Sequence, residues 1–163
     1  MRYYYIHGAF ATGKTTAKLL SEVLDSEIEI LSWDISKKFN ENFNSMSEII
    51  EKSDDDEIIL IGKSIGGFYA NQLTNKFLIP CALFNPVINA KEILTKFGVN
   101  PEIANSYDVE LKDEIVPRLV VVGLKDEILN PDVAIKKWEG KCLLIKVDAE
   151  HDIKDFKQYR EKA

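Results

Sequence analysis

Three observations in the sequence predict an α/β fold on a mainly parallel sheet. First, six short apolar runs recur along the chain, at residues 3–6, 28–31, 58–61, 81–84, 119–122 and 143–147. Second, these runs are near-continuous rather than alternating, as strands buried on both faces are. Third, helix-like segments separate them, which argues for right-handed crossovers between parallel neighbours.

Each element has a local reason. The strand at 3–6 runs into His7-Gly8, and the helix over 14–24 places Ala17, Leu20, Val23 and Leu24 on one face. After the strand at 28–31, Asn44-Ser45 is read as the cap of a short helix over 46–52. The strand at 58–61 enters a glycine-rich turn, from which a helix opens over 65–74. The strand at 81–84 is followed by a helix over 91–97, stopped by Gly98. The stretch 100–114 is polar and irregular, and a loop that long in a compact domain is often functional. The strand at 119–122 precedes a helix over 133–138, which follows Pro131-Asp132 and ends near Gly140. A strand at 143–147 and a helix over 153–160 complete the pattern. The expectation is a three-layer α/β/α sandwich with about six mainly parallel strands. With 163 residues and no repeat or linker, it is read as a single domain, 1–163.

Composition narrows the function. A chain 45% hydrophobic and 29% charged is not a disordered one. No apolar run approaches the roughly 18–20 residues of a membrane helix. The start, Met1-Arg2-Tyr3-Tyr4-Tyr5, leads into a strand and lacks the apolar region of a signal peptide, so a cytoplasmic location is expected. The net charge is −6, and 18 Lys and 3 Arg are scattered among acids, which leaves no basic stripe for nucleic acid. Cys81 and Cys142 sit in strand-like runs and are expected to be buried free thiols.

Two motifs compete. Gly8-Ala9-Phe10-Ala11-Thr12-Gly13-Lys14-Thr15 satisfies G-x-x-x-x-G-K-[ST] between a strand and a helix. In that reading Lys14 neutralises a phosphate and Thr15 holds Mg²⁺, giving a nucleotide-binding protein or kinase. Asp34 is the fair candidate for the second magnesium ligand, and only Arg2, Arg118 and Arg160 could stabilise phosphoryl charge. Gly62-Lys63-Ser64-Ile65-Gly66, with Gly67 beyond, matches the nucleophile elbow G-x-S-x-G. There the serine sits on a strained strand-to-helix turn, so near neighbours must lack side chains.

The elbow has partners in the order Ser, acid, His. Asp126 follows the fifth strand run, with Glu127 and Asp148 as substitutes, and His151 follows the sixth. The chain's other histidine, His7, precedes Gly8 where a second oxyanion donor is drawn. Ser64 is therefore the candidate nucleophile, His151 the base and Asp126 its orienting acid. The amides of Ile65 and of Ala9, with Phe10 as alternative, are the candidate oxyanion donors. His7 is expected to hold the loop carrying Ala9 and Phe10, and Gly8, Gly62 and Gly66 to give the turns their clearance. His151 falls between Glu150 and Asp152, two carboxylates expected to act on it. Lys14 is read as a solvated first-turn residue, and Trp33 and Trp138 as packing.

These residues give the chain its likeness. Tyr5-Ile6-His7-Gly8, Gly62 to Gly67 with Phe68-Tyr69-Ala70, Phe84-Asn85-Pro86, Gly123-Leu124-Lys125-Asp126 with Pro131, and His151 resemble the α/β-hydrolases. More narrowly, they resemble the small bacterial YqiA/YcfP-type esterase-like family. Two features depart from it: the loop after His-Gly reads Ala-Thr-Gly-Lys-Thr-Thr, and Asp-Ala-Glu precedes His151. The resemblance implies a reduced α/β-hydrolase fold with strand order 2-1-3-4-5-6 and a small cap over Ser64 around 87–116. It implies a serine hydrolase acting on a small-molecule ester or thioester, with no metal or organic cofactor and no nucleic acid or membrane partner. A catalytically silent binding protein on the same fold is the remaining alternative.

Overall fold

A computed structural model describes residues 1–112 and 114–162 of the chain. Its strands are β1 (Arg2–Ile6), β2 (Ile28–Ile30), β3 (Ile58–Lys63), β4 (Cys81–Phe84), β5 (Arg118–Gly123) and β6 (Leu143–Val147). They form one sheet in the order β2-β1-β3-β4-β5-β6, parallel at every pairing. This is the strand order that the resemblance implied.

Side chains alternate between two cores, as a pleated strand dictates. Tyr4, Ile6, Leu60, Leu83, Val120 and Val122 face one side, where helices α2 (Phe39–Glu51), α3 (Ile65–Phe77), α4 (Ala90–Lys96), α5 (Pro101–Ser106) and α6 (Pro131–Trp138) cover them. Tyr5, Ile61, Phe84, Leu119 and Val121 face the other, under α1 (Lys14–Leu24) and the C-terminal residues Ile153, Phe156 and Tyr159. Both faces being covered explains why the strands read as continuous apolar runs.

Some boundaries differ from the sequence reading. Helix α2 begins seven residues before the expected Met46, with its entry at Lys38, whose amide donates to Glu41 at 3.0 Å. The spacing Phe39, Phe43, Met46, Ile50 carries an apolar face past Asn44-Ser45, and Ser47 is buried inside the helix. Within the polar stretch 100–114, Pro101–Ser106 forms α5, started by Asn100 accepting from the Glu102 amide with Pro at the first turn. Residue 113 of that stretch lies outside the described residues. Asn130 caps α6 in the same way, so that helix begins at Pro131 rather than at residue 133. The expected helix over 153–160 is replaced by an irregular segment and a 3-10 turn at Lys157–Lys162. Cys81 is buried, but Cys142 is only half-buried, because it precedes β6 rather than lying in it. Among the described residues, no helix is long and apolar enough to cross a membrane.

Candidate active site

The carboxyl ends of the central strands converge on one cleft of about 410 Å³. Ser64, Lys63 and Ile128, residues 8–16, Phe97, His151 and Asp152 contribute to its wall.

Ser64 stands between the end of β3 and the start of α3 with φ 56° and ψ −123°. That is sterically costly for any residue with a Cβ. Its backbone is fixed on both sides: its amide donates to Phe84 O at 3.1 Å, and its carbonyl accepts from Val87 and Gly67 at 3.1 and 2.9 Å. The glycines are required by space. A Cβ on Gly66 would lie 2.0 Å from the Ile6 carbonyl oxygen, and one on Gly62 would lie 2.4 Å from the Gly66 oxygen. Ile65 is the first residue of α3, so its amide belongs to a helix start that has no intrahelical acceptor.

His151 lies beyond β6, on a segment without regular secondary structure. Its Nδ1 bonds Asp126 Oδ2 at 2.7 Å, and the two side chains are 12% and 2% exposed. The other Asp126 oxygen accepts from the amides of Ile128 and Leu129, each at 2.8 Å. Burial pushes the Asp126 carboxyl up, but the His151 bond and these amides outweigh it and hold it below the ordinary carboxylate range. The substitutes have other partners. Glu127 accepts from the His151 backbone amide at 3.0 Å, and Asp148 pairs with Lys125.

Three features of this region escaped the sequence reading. Asn85, buried and at φ 43°, accepts from the Gly123 amide at 2.7 Å and donates to the Glu150 and His151 carbonyls at 3.2 and 2.8 Å. Glu127 grips the His151 backbone. Lys63 donates to the Asp152 carboxylate and to Ile153 O. Asp152, expected with Glu150 to act on His151, is bonded to Lys63 and Lys154. Burial pushes its carboxyl up, yet these two ammonium groups hold it below the usual range. Only Phe84-Asn85-Pro86 carried a signal for any of the three, through the resemblance. Contacts between chain segments this far apart leave no local pattern.

On the facing wall, His7 Nδ1 donates to Gly8 O at 2.8 Å and its Nε2 accepts from the Trp33 amide at 3.5 Å. Burial, outweighing the Gly8 bond, holds the imidazole below its ordinary value, in keeping with this neutral tautomer. The Trp33 indole donates to His7 O at 2.9 Å and stacks on the ring. The loop beyond carries Ala9 and Phe10. Phe10 has φ 58°, and its exposed ring meets Phe97 with centroids 5.6 Å apart. Lys14 is exposed at the cleft rim, beside Thr15. Asp34 is not among the cleft residues; its carboxylate accepts from the Ser36 hydroxyl and amide. Among the described residues, no group of three or more His, Cys, Asp or Glu is arranged to hold a metal ion.

Comparison with known proteins agrees with the fold. Residues 2–163 match the model of the uncharacterised protein family UPF0227. Among solved structures, a protein assigned to the alpha/beta hydrolase superfamily from Xanthomonas campestris pv. campestris superposes with a TM-score of 0.70 at 19% identity, covering 99% of this chain and 94% of that one. An extracellular alpha/beta-hydrolase from a Paenibacillus species superposes at 0.69 and 14% identity, covering 99% and 96%. Mouse alpha/beta hydrolase domain-containing protein 10 superposes at 0.72 and 11% identity, covering 94% and 83%. The fold is that of the α/β-hydrolases.

Proposed function

The chain belongs to the UPF0227 family, and from the site it carries we propose serine-dependent hydrolysis of a small carboxylic ester or thioester. The observation that carries the proposal is the buried Asp126–His151 bond at the wall of the cleft that also holds Ser64 on its strained elbow.

The steps follow from the chemistry of the groups. Ser64 Oγ attacks the substrate carbonyl carbon while His151 Nε2 takes its proton. Asp126, on Nδ1, fixes the tautomer that leaves Nε2 free and stabilises the imidazolium. The tetrahedral oxyanion is met by the amides of Ile65 and Ala9, with Phe10 as the alternative donor. One such donor is worth about 2.7–4 kcal/mol in the transition state. The imidazolium returns its proton to the leaving alcohol or thiol, giving an acyl-Ser64 ester. Water, deprotonated by His151, then hydrolyses that ester and restores Ser64. The segment 87–116, which carries α4 and α5, serves as a small cap, with Phe97 at the cleft. The chain acts as one hydrolase unit over 1–163.

The test is covalent. A fluorophosphonate probe is expected to label the wild-type chain on the Ser64 peptide, identified by mass spectrometry. Labelling that persists unchanged in Ser64→Ala overturns the assignment.

A further inference from the structure

We propose that Lys63 is a positioning residue for the base His151, acting through Asp152 and resting on the serine-hydrolase reading above. Lys63 is the last residue of β3 and immediately precedes Ser64. The crowding of the elbow falls on its glycines, and the G-x-S-x-G pattern leaves position 63 open to any residue. A lysine here is nonetheless buried, its side chain 11% exposed, which costs desolvation unless the ammonium is paired. Its partners are the Asp152 carboxylate and Ile153 O, the latter at 3.2 Å. Both acceptors lie directly after His151.

That location matters because neither helix nor strand holds the segment between β6 and the 3-10 turn at Lys157–Lys162. Asn85 and Glu127 hold it at Glu150 and His151. Lys63 holds it on the far side. The nucleophile's own strand thus clamps the segment that carries the base, because one ion pair joins the chain neighbours of Ser64 and of His151.

The clamp also sets the charge around the imidazole. Asp126 and Glu127 face His151 from the loop after β5, and Glu150 and Asp152 flank it on its own segment. Lys63 reaches in from β3, Lys154 pairs with Asp152 from the segment beyond, and Lys14 stands at the cleft from α1. Lys63 and Asp152 offset each other. Without the Lys63 ammonium, the Asp152 carboxylate keeps only the exposed Lys154 as counter-charge and favours the imidazolium more, and a higher pH is needed for the neutral base. Without the carboxylate, the Lys63 ammonium disfavours the imidazolium, and a lower pH suffices.

The experiment is the rate of fluorophosphonate labelling of Ser64 as a function of pH, with thermal melts confirming that each variant is folded. Lys63→Met is expected to move the midpoint up, and Asp152→Asn to move it down, each by about 0.3–1 unit. Lys63→Met is also expected to lower the plateau rate by about 10- to 100-fold through misplacement of the base. Lys63→Arg retains the charge and is expected to keep the wild-type midpoint. A purely structural clamp slows labelling without opposite shifts, so coincident midpoints in the two variants overturn the proposal. If Lys63→Met does not fold, Asp152→Asn decides alone, because that side chain is 59% exposed; an unmoved midpoint overturns the proposal. A wild-type chain that takes no label on Ser64 overturns the hydrolase reading itself, and the inference with it. That outcome is distinct from labelling at a common midpoint.

Discussion

Asp126 is held from two directions, one oxygen on His151 Nδ1 at 2.7 Å and the other on two backbone amides at 2.8 Å. The amides fix the carboxylate whatever the ring does, so the ring is oriented by an anchored group. Asp126→Asn is therefore expected to keep the fold and present the wrong hydrogen-bonding partner to Nδ1. The cost is about 10⁴ in kcat for a simple activated ester, if the triad behaves as in serine proteases. Glu127→Gln, at a carboxylate bonded to the His151 backbone amide rather than to its ring, is expected to cost far less. The reverse ranking in steady-state assays would move the acid to Glu127.

Acid stability follows from the same carboxylate. Its folded-state value lies below the ordinary Asp value, because the His151 bond and the amides outweigh burial. A depressed carboxyl contributes stability that is fully present above its unfolded value, about 3.9, and is lost as pH falls through the folded one. Wild type is expected to exceed Asp126→Asn in urea midpoint near pH 6, with the difference shrinking below about pH 4. Parallel urea midpoints down to pH 3 would remove Asp126 from the acid transition.

Ser64 sets the proposed activity against stability. At φ 56° and ψ −123° a Cβ costs about 1–3 kcal/mol. Glycine escapes this strain, though it adds about 0.5–1 kcal/mol of backbone entropy loss. Ser64→Gly is expected to melt above Ser64→Ala, by a few degrees at about 1 kcal/mol net for a chain of this size. Both variants are expected to be inactive. Equal melting temperatures would show that the elbow stores no strain.

The pattern of legibility is physical. The sheet was readable because strands covered on both faces must be apolar throughout, and the three elbow glycines at 62, 66 and 67 mark a turn that nothing larger fits. Asp126 and His151 were readable from their place after late strands, and they meet in a buried bond. Helix α5 and the start of α6 left a local signal, Asn followed by Pro, that the polar composition around them obscured. The C-terminal helix was misread because Ile153, Phe156 and Tyr159 are spaced for one face, yet an irregular chain and a 3-10 turn present the same face to the sheet. The Lys63–Asp152 and Asn85–His151 links were illegible, since they join residues 89 and 66 positions apart.

The phosphate-loop pattern at residues 8–15 gives the last prediction, which is that Mg-ATP does not bind tightly. Lys14 and Thr15 do stand at the cleft, so the pattern alone does not decide. The candidate parts whose side chains are described are engaged elsewhere, and the Arg160 side chain lies outside the described ones. Asp34, the candidate magnesium acid, turns back on Ser36 and lies outside the cleft wall. Arg118 is buried among Asn71, Asn75 and the Glu114 carbonyl, and Arg2 pairs with Glu29 and Asp55. The second lysine of the cleft, Lys63, is already matched by Asp152, whose carboxylate would oppose a triphosphate. Stabilising phosphoryl-transfer charge requires several such groups to converge, and among the described residues of the cleft one exposed lysine is left. Calorimetric titration with Mg-ATP is expected to show no micromolar binding. Micromolar binding that Lys14→Ala abolishes would assign the cleft to a nucleotide and displace the ester chemistry proposed for Ser64.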